Sequence, residues 1–250
     1  GEPNKVWCFV GDMTFESGIF HEVYKYARNN DLPLEFVVED NNLSTNTPTD
    51  ETWGKKQDVP DDVIYTILEH ARFAPSGGNR QGWHTIVIRD QLMKNQLADL
   101  ARTGMKRYTA QVKNGENPWN TIQSTSLTQE QIDSTEIPDE RLKVITSCPV
   151  LLAIAVDLGV VASMDKDLER VGVISGASIY PFVWNIILMA RELGYGGALT
   201  TFVAAEESKA QKLLHLPEHY AVSALVPIGK PPKQLTKLSR KPVEKIASKE

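Results

Sequence analysis

The chain has 250 residues, 41% hydrophobic and 24% charged, enough to bury the core of one large domain or of two small ones. A net charge of −5 gives no reason to expect nucleic acid as a partner. No apolar run reaches the roughly 18–20 residues of a membrane-spanning helix, and no signal-peptide pattern opens the chain.

Cys8 and Cys148 stand far apart and outside any metal-ligand spacing, which points to a reducing, cytoplasmic compartment. The first residue is Gly1 rather than Met, as in a fragment or a processed form. Charge is uneven. Residues 31–62 carry nine acidic and two basic side chains, and residues 230–250 carry seven basic and two acidic. The basic end reads as a solvated tail or as a source of cations for a phosphate.

In chain order, residues 6–10 form a short apolar run closed by Gly11-Asp12, the pattern of a buried strand and its turn. Phe20, Val23, Tyr24 and Ala27 repeat at helical spacing, and residues 34–39 read as a second strand. The unit is a strand–helix–strand, most simply parallel. Residues 43–58 are polar and read as a junction. A helix starts near Pro60, with Asp61 and Asp62 suited to its positive end and Ile64, Ile67, Leu68 and Ala71 on its apolar face. It stops before Pro75-Ser76-Gly77-Gly78-Asn79. A strand is expected over 85–89 and a helix over 91–102; residues 103–140 are polar and poorly periodic. Residues 150–156 are a continuous apolar strand. A strongly apolar helix over 179–193 is stopped by Gly194, a helix closes at 213–216, and a strand covers 223–228.

The stretch most open to chemistry is Ala71-Arg72-Phe73-Ala74-Pro75-Ser76-Gly77-Gly78-Asn79-Arg80-Gln81-Gly82-Trp83-His84. Its glycines allow close backbone approach, and Asn79 and Gln81 each carry a donor and an acceptor. On composition alone the favoured reading is a helix end followed by a surface turn, because glycine-rich loops are common. Trp83, opening a strand, reads as a core residue, and His84, His215 and His219 read as structural.

The order of motifs resembles the nitroreductase family over residues 59–250. The stretch above is similar to that family's Ala-Pro-Ser-x-x-Asn-x-Gln-Pro-Trp loop, with Gly82 where the pattern has proline. Residues 178–201, ending Gly196-Gly197-Ala198-Leu199-Thr200-Thr201, resemble its central helix and glycine turn. Leu213-x-His215-Leu216-Pro217, Pro227-Ile228-Gly229-Lys230-Pro231 and Leu238-Ser239-Arg240-Lys241-Pro242 follow in order. The resemblance implies an α/β (α+β) fold with a mixed central sheet flanked by helices. It also implies FMN as cofactor, NAD(P)H as electron donor, a small-molecule electron acceptor and a homodimer with the flavin between subunits. Carried over, Pro75, Ser76, Gly77, Asn79 and Gln81 would face the flavin. Leu199, Thr200 and Thr201 would offer main-chain contacts near its reactive nitrogen, and Ser239 and Arg240 would hold its phosphate. Residues 103–140 would be the substrate lid. No catalytic side chain is required, because the cofactor carries the chemistry.

The family's basic Arg-Arg-Ser-x-Arg-like segment should fall near residues 49–54, where Asp50 and Glu51 stand instead. Residues 1–53 resemble a fragment of the thiamine-diphosphate-dependent E1 alpha component of 2-oxoacid dehydrogenases. On that resemblance Asp12, with Asp40 or Asn41, would be a vestigial magnesium site. The sequence thus divides into a thiamine-type fragment (1–53), a junction (54–58) and a flavin domain (59–250), with a truncated or artificially joined reading frame as one origin. The leading expectation is an FMN-dependent oxidoreductase. The alternatives are a cofactor-poor, inactive remnant and a thiamine-dependent dehydrogenase component.

Overall fold

A computed structural model describes residues 6–11, 18–30, 32–39, 43–44, 47–48, 59–231 and 239–248. The chain divides into two units, Gly1–Gln57 and Asp58–Glu250. In the first, β1 (Val6–Gly11), α1 (Gly18–Asn29) and β2 (Leu34–Glu39) follow one another. The two strands pair in parallel, with Val6 opposite Leu34 and Gly11 opposite Glu39. Phe20 and Ala27 of α1 are buried. β3 (Leu43–Ser44) and β4 (Thr47–Pro48) make a short antiparallel pair within the polar junction. Asp12, Asp40 and Asn41 lie outside the described residues, as does the 49–58 segment.

The second unit is built on β5 (Trp83–Ile88), β6 (Val150–Asp157), β7 (Gly196–Gly197) and β8 (Tyr220–Gly229), in the order β5-β6-β8-β7. Every pairing among these strands in the described residues is antiparallel, where the resemblance implied a mixed sheet. The apolar run of β6 does not tell the two apart, because it reflects two-sided burial. A continuous apolar run marks any strand with both faces covered, and that is commonest in parallel sheets. Here Val150, Leu152 and Ile154 face α2 (Asp61–Ala71) and α6 (Tyr180–Glu192), meeting Ile64, Ile67, Phe182, Val183 and Ile186. Leu151 and Ala153 face the other way, toward Leu97, Ala101 and Met105 of α3 (Gln91–Lys113) and toward Ile145 and Val203. Alternation along the strand splits the core into two layers. Each fully buried aliphatic side chain contributes about 1.5–3 kcal/mol.

The register shifts between Ile154 and Ala155, where Ser223 is the extra residue of β8 and its hydroxyl donates to the Ile154 carbonyl (3.0 Å). α2 starts after Pro60 with Asp61 and Asp62 in its first turn, and Arg89 ties its entry down by donating to the Val59 carbonyl (2.8 Å). α6 ends where Gly194 turns to φ +79° and Tyr195 N–H donates back to the Ala190 carbonyl (2.8 Å). α3 runs eleven residues past the expected end at 102, to Lys113. Short helices α4 (Gln129–Asp133), α5 (Lys143–Thr146) and α7 (Glu207–Leu213) complete the unit.

Candidate functional site

The loop after α2 is held in shape by its own polar groups. Ser76 accepts from Asn79 N–H at its carbonyl (2.8 Å) and from Gln81 N–H at its hydroxyl (3.0 Å). Gly78, Asn79 and Gln81 all have positive φ, of 63°, 53° and 50°. Asn tolerates that region, whereas Gln occupies it only where its surroundings compel it. Gly77 N–H donates to the buried Ser178 hydroxyl (2.9 Å), and Trp83 Nε1 donates to the Ser178 carbonyl (2.7 Å). One residue ahead of α6 thus fixes both ends of the loop. Pro75, Gly77, Asn79 and Gln81 remain exposed and Ser76 is half-buried. Trp83 packs on the core with its ring stacked on Phe182, centroids 4.8 Å apart. The departure at Gly82 has a packing cause. A Cβ there would come within 2.7 Å of Val160 Cγ2, so Val160 holds the room that a proline ring would need.

A cavity of about 690 Å³ lies elsewhere on the unit, within the roughly 300–1,000 Å³ usual for small-molecule sites. Leu199, Thr200 and Thr201 line one wall, Met105, Tyr108 and Thr109 of α3 another, and Trp119 and Arg141 stand beside them. The main chain of Thr200 is engaged within the sheet. Its N–H already donates to the Leu225 carbonyl (3.0 Å), and its carbonyl accepts from Leu225 N–H (2.9 Å). What Thr200 offers instead is its hydroxyl, buried and without a hydrogen-bond partner. A buried orphan hydroxyl costs free energy unless a ligand satisfies it. Aromatic and aliphatic walls with an unpartnered hydroxyl among them suit a flat heteroaromatic ring with a polar edge, as the implied flavin has.

The cavity's outer wall falls in the 103–140 stretch, of which sequence reasoning singled out no residue. Trp119 has φ +53°, an uncommon state for a bulky residue, and Arg107 lies over its ring at 4.3 Å. Its N–H donates to Oε1 of Gln111, a residue only 2% exposed (3.0 Å). Gln111 in turn donates through Nε2 to Glu116 (3.0 Å). Glu116 also accepts from Thr125 (2.7 Å), from Asn114 (2.9 Å), and from both the hydroxyl and the N–H of Ser126 (2.7 and 3.0 Å). The Thr125 and Ser126 bonds come first in holding this carboxyl well below the ordinary carboxylate range. A depressed folded-state pKa contributes stability above the unfolded value of about 4.3 and loses it as pH falls below that. Glu116→Ala is therefore expected to lower the protection factors of the Trp119 and Ser126 amides, and acidification below about pH 4 to lower them in the unaltered protein once intrinsic exchange rates at each pH are divided out. Unchanged protection in the variant would show that the network does not hold the wall.

The two expected clusters do not meet within one chain. Thr200, Leu225, Ala153 and Ile86 are successive partners across the sheet, three spacings of about 4.8 Å, and Gln81 lies five residues before Ile86 at about 3.4 Å each. The separation of roughly 20 Å exceeds the span of a single ring system. Gln81 borders a different cleft of about 460 Å³, with Tyr65, Arg72 and Thr85. Ser239 and Arg240 are exposed and absent from the cavity lining, and Arg240 Nη1 donates to the Ser239 carbonyl (2.7 Å). Among the described residues, no His/Cys/Asp/Glu group is arranged to hold a metal, and no helix is long and apolar enough to cross a membrane.

Comparison with known proteins sets this geometry in a family. The profile described as "Nitroreductase family" matches residues 55–230. A protein of Archaeoglobus fulgidus, provisionally named NADH dehydrogenase/NAD(P)H nitroreductase, is 27% identical over 175 residues, covering 69% of this chain and 75% of the relative. Among solved structures, a BluB-like flavoprotein from Clostridium difficile 630 shares the fold with a TM-score of 0.56 at 23% identity, covering 78% of this chain and 91% of that one. An iodotyrosine deiodinase bound to FMN and 3-iodo-L-tyrosine does so with a TM-score of 0.51 at 20% identity, covering 73% and 85%. The profile match begins at residue 55, and none of these comparisons supports the thiamine-type resemblance of residues 1–53.

Proposed function

The chain belongs to the nitroreductase family of oxidoreductases, and from that membership we propose that it is an FMN-dependent enzyme acting as a homodimer. The observation that carries the reading is the Thr200 hydroxyl, orphaned in the wall of a cavity with aromatic and aliphatic sides. When bound, FMN would supply the two-electron chemistry by which NAD(P)H reduces a nitroaromatic, quinone, enone or similar acceptor. The chain's own part is to bind and orient. Leu199, Thr200 and Thr201 are assigned to one side of the ring, with the Thr200 hydroxyl, in place of its N–H, as the polar contact. Pro75, Ser76, Gly77, Asn79 and Gln81 are assigned to the ring of the other subunit, since one chain's two clusters are too far apart to share one. Ser239 and Arg240 are assigned to the phosphate.

Two observations favour the dimer. One is the separation of the clusters, and the other is the exposed stripe Tyr180, Trp184 and Leu188, one turn apart along α6. The functional unit on this reading is 59–250, in the cytoplasm, with residues 1–53 an appendage.

The test is titration of the purified protein with FMN and with riboflavin. FMN is expected to bind saturably, and Arg240→Ala to weaken FMN about 10–100-fold while sparing riboflavin, as loss of a charge-assisted bond of about 1.5–3 kcal/mol predicts. A second reading, a cofactor-poor remnant, is favoured by Asp50 and Glu51 standing where cations belong. Protein without flavin absorbance and without saturable FMN binding would establish that remnant and end the first reading.

A further inference from the structure

Arg141 differs from several other arginines of the unit. Arg102 is paired with Asp99 and Asp139, Arg170 with Asp165, and Arg89 with Asp61. Among the described residues Arg141 has no carboxylate partner, and no acidic side chain lines its cavity. Its Nη1 donates to the hydroxyl of the buried Thr109 (2.9 Å), which ties the guanidinium to α3, and Arg141 lines the cavity with its other donors unused. A planar guanidinium with free donors matches the two oxygens of a carboxylate. Beside it, Tyr108 and Trp119 are partly exposed aromatic rings in the same lining, and Gln111 and Arg107 hold Trp119 in its left-handed backbone state. Rings held at the edge of a cavity at a cost in strain are poised to pack on a ligand.

We propose that the acceptor taken by this cavity is a planar aromatic acid, its ring against Trp119 and Tyr108 and its carboxylate on Arg141. The inference rests on the flavin reading for the word acceptor, but the binding chemistry stands on the cavity alone. A flavin phosphate is the other anion Arg141 could meet, and the test separates the two.

The probes are 4-nitrobenzoate and 4-nitrobenzyl alcohol, alike in ring and nitro group and different in charge, titrated calorimetrically into the full-length protein. The acid is expected to bind about tenfold or more tighter, the preference shrinking as salt is raised. Arg141→Gln should abolish that preference and Arg141→Lys retain part of it, with the FMN-to-riboflavin affinity ratio unchanged in both. Equal affinities in the unaltered protein, or a preference that survives Arg141→Gln, would overturn the proposal. So would a fall in the FMN-to-riboflavin ratio in Arg141→Gln, which would give Arg141 to the phosphate. If Arg141→Gln does not fold, Arg141→Lys and the salt dependence of the unaltered protein decide. Failure of FMN to bind at all sinks the flavin reading alone, because the acid–alcohol comparison needs no flavin.

Discussion

Trp83→Ala is expected to lower unfolding stability by about 3 kcal/mol, the low end of the range for removing a packed aromatic side chain, because Trp83 is half-buried. The loss has two separable parts. The indole stacks on Phe182 at 4.8 Å with the planes 8° apart, and its Nε1 donates to the Ser178 carbonyl at 2.7 Å. Trp83→Phe keeps most of the first and removes the second. It should cost about 1 kcal/mol, plus whatever the unpaired carbonyl fails to recover from water. Both variants also reach the loop. Ser178 accepts Gly77 N–H at its hydroxyl, so loosening Ser178 loosens the 75–81 loop. Denaturant unfolding gives the energies, and hydrogen exchange at the Gly77 amide gives the coupling. Equal destabilisation by Phe and by Ala would show that the hydrogen bond, and not the stacking, carries the effect.

The sequence announced some elements for reasons the structure makes plain and concealed others. α2 and α6 were legible because Ile64, Ile67 and Ala71, and likewise Phe182, Val183, Ile186 and Ala190, recur at helical spacing and all pack inward. β6 was legible as a strand but not in its sense of pairing, since burial on both faces removes the alternation that marks an antiparallel sheet. The last eleven residues of α3 were hidden because their inward positions are Gly104, Met105, Thr109, Ala110 and Gln111, small or polar apart from Met105, so that they give no apolar rhythm. Gln111 is buried for the sake of Glu116 and Trp119, and such a purpose does not appear in a hydrophobic pattern. At the site, resemblance pointed to Leu199–Thr201 and to the 75–81 loop, but only the bridge to Leu225 reveals that the Thr200 N–H is already engaged. Trp119 and Arg141 were out of reach for another reason. Segments distant in sequence bring them to one cavity, and the visible cue was an aromatic residue in a polar stretch.

Gly104→Ala should reverse the usual effect of that substitution. Glycine inside a helix is about 0.5–1 kcal/mol less favourable than alanine, so replacing it at an open position stabilises. In α3 the position is closed. A Cβ on Gly104 would overlap the Phe202 carbonyl oxygen and come within 3.1 Å of the Phe202 C and Cα atoms. These are backbone atoms in a 3-10 turn, Phe202–Glu206, with no rotamer to yield. Either the helix or the turn must move, at a cost of about 1–3 kcal/mol for an overpacked contact, against which the helix-propensity gain is small. A net destabilisation of about 1–2 kcal/mol is expected, read as a lower denaturant midpoint with an unchanged slope. The consequence for function follows from the chain order. Phe202 comes directly after Leu199–Thr201, and Met105 follows Gly104 on the opposite wall, so the same displacement shifts both sides of the cavity. FMN affinity should fall by about tenfold or more, since 1.4 kcal/mol of lost contact suffices for that factor. A variant more stable than the parent, with unaltered FMN binding, would mean that α3 and the Phe202 turn do not approach closely enough to require glycine. The wall formed by Tyr108 and Thr109 would then have to be placed anew.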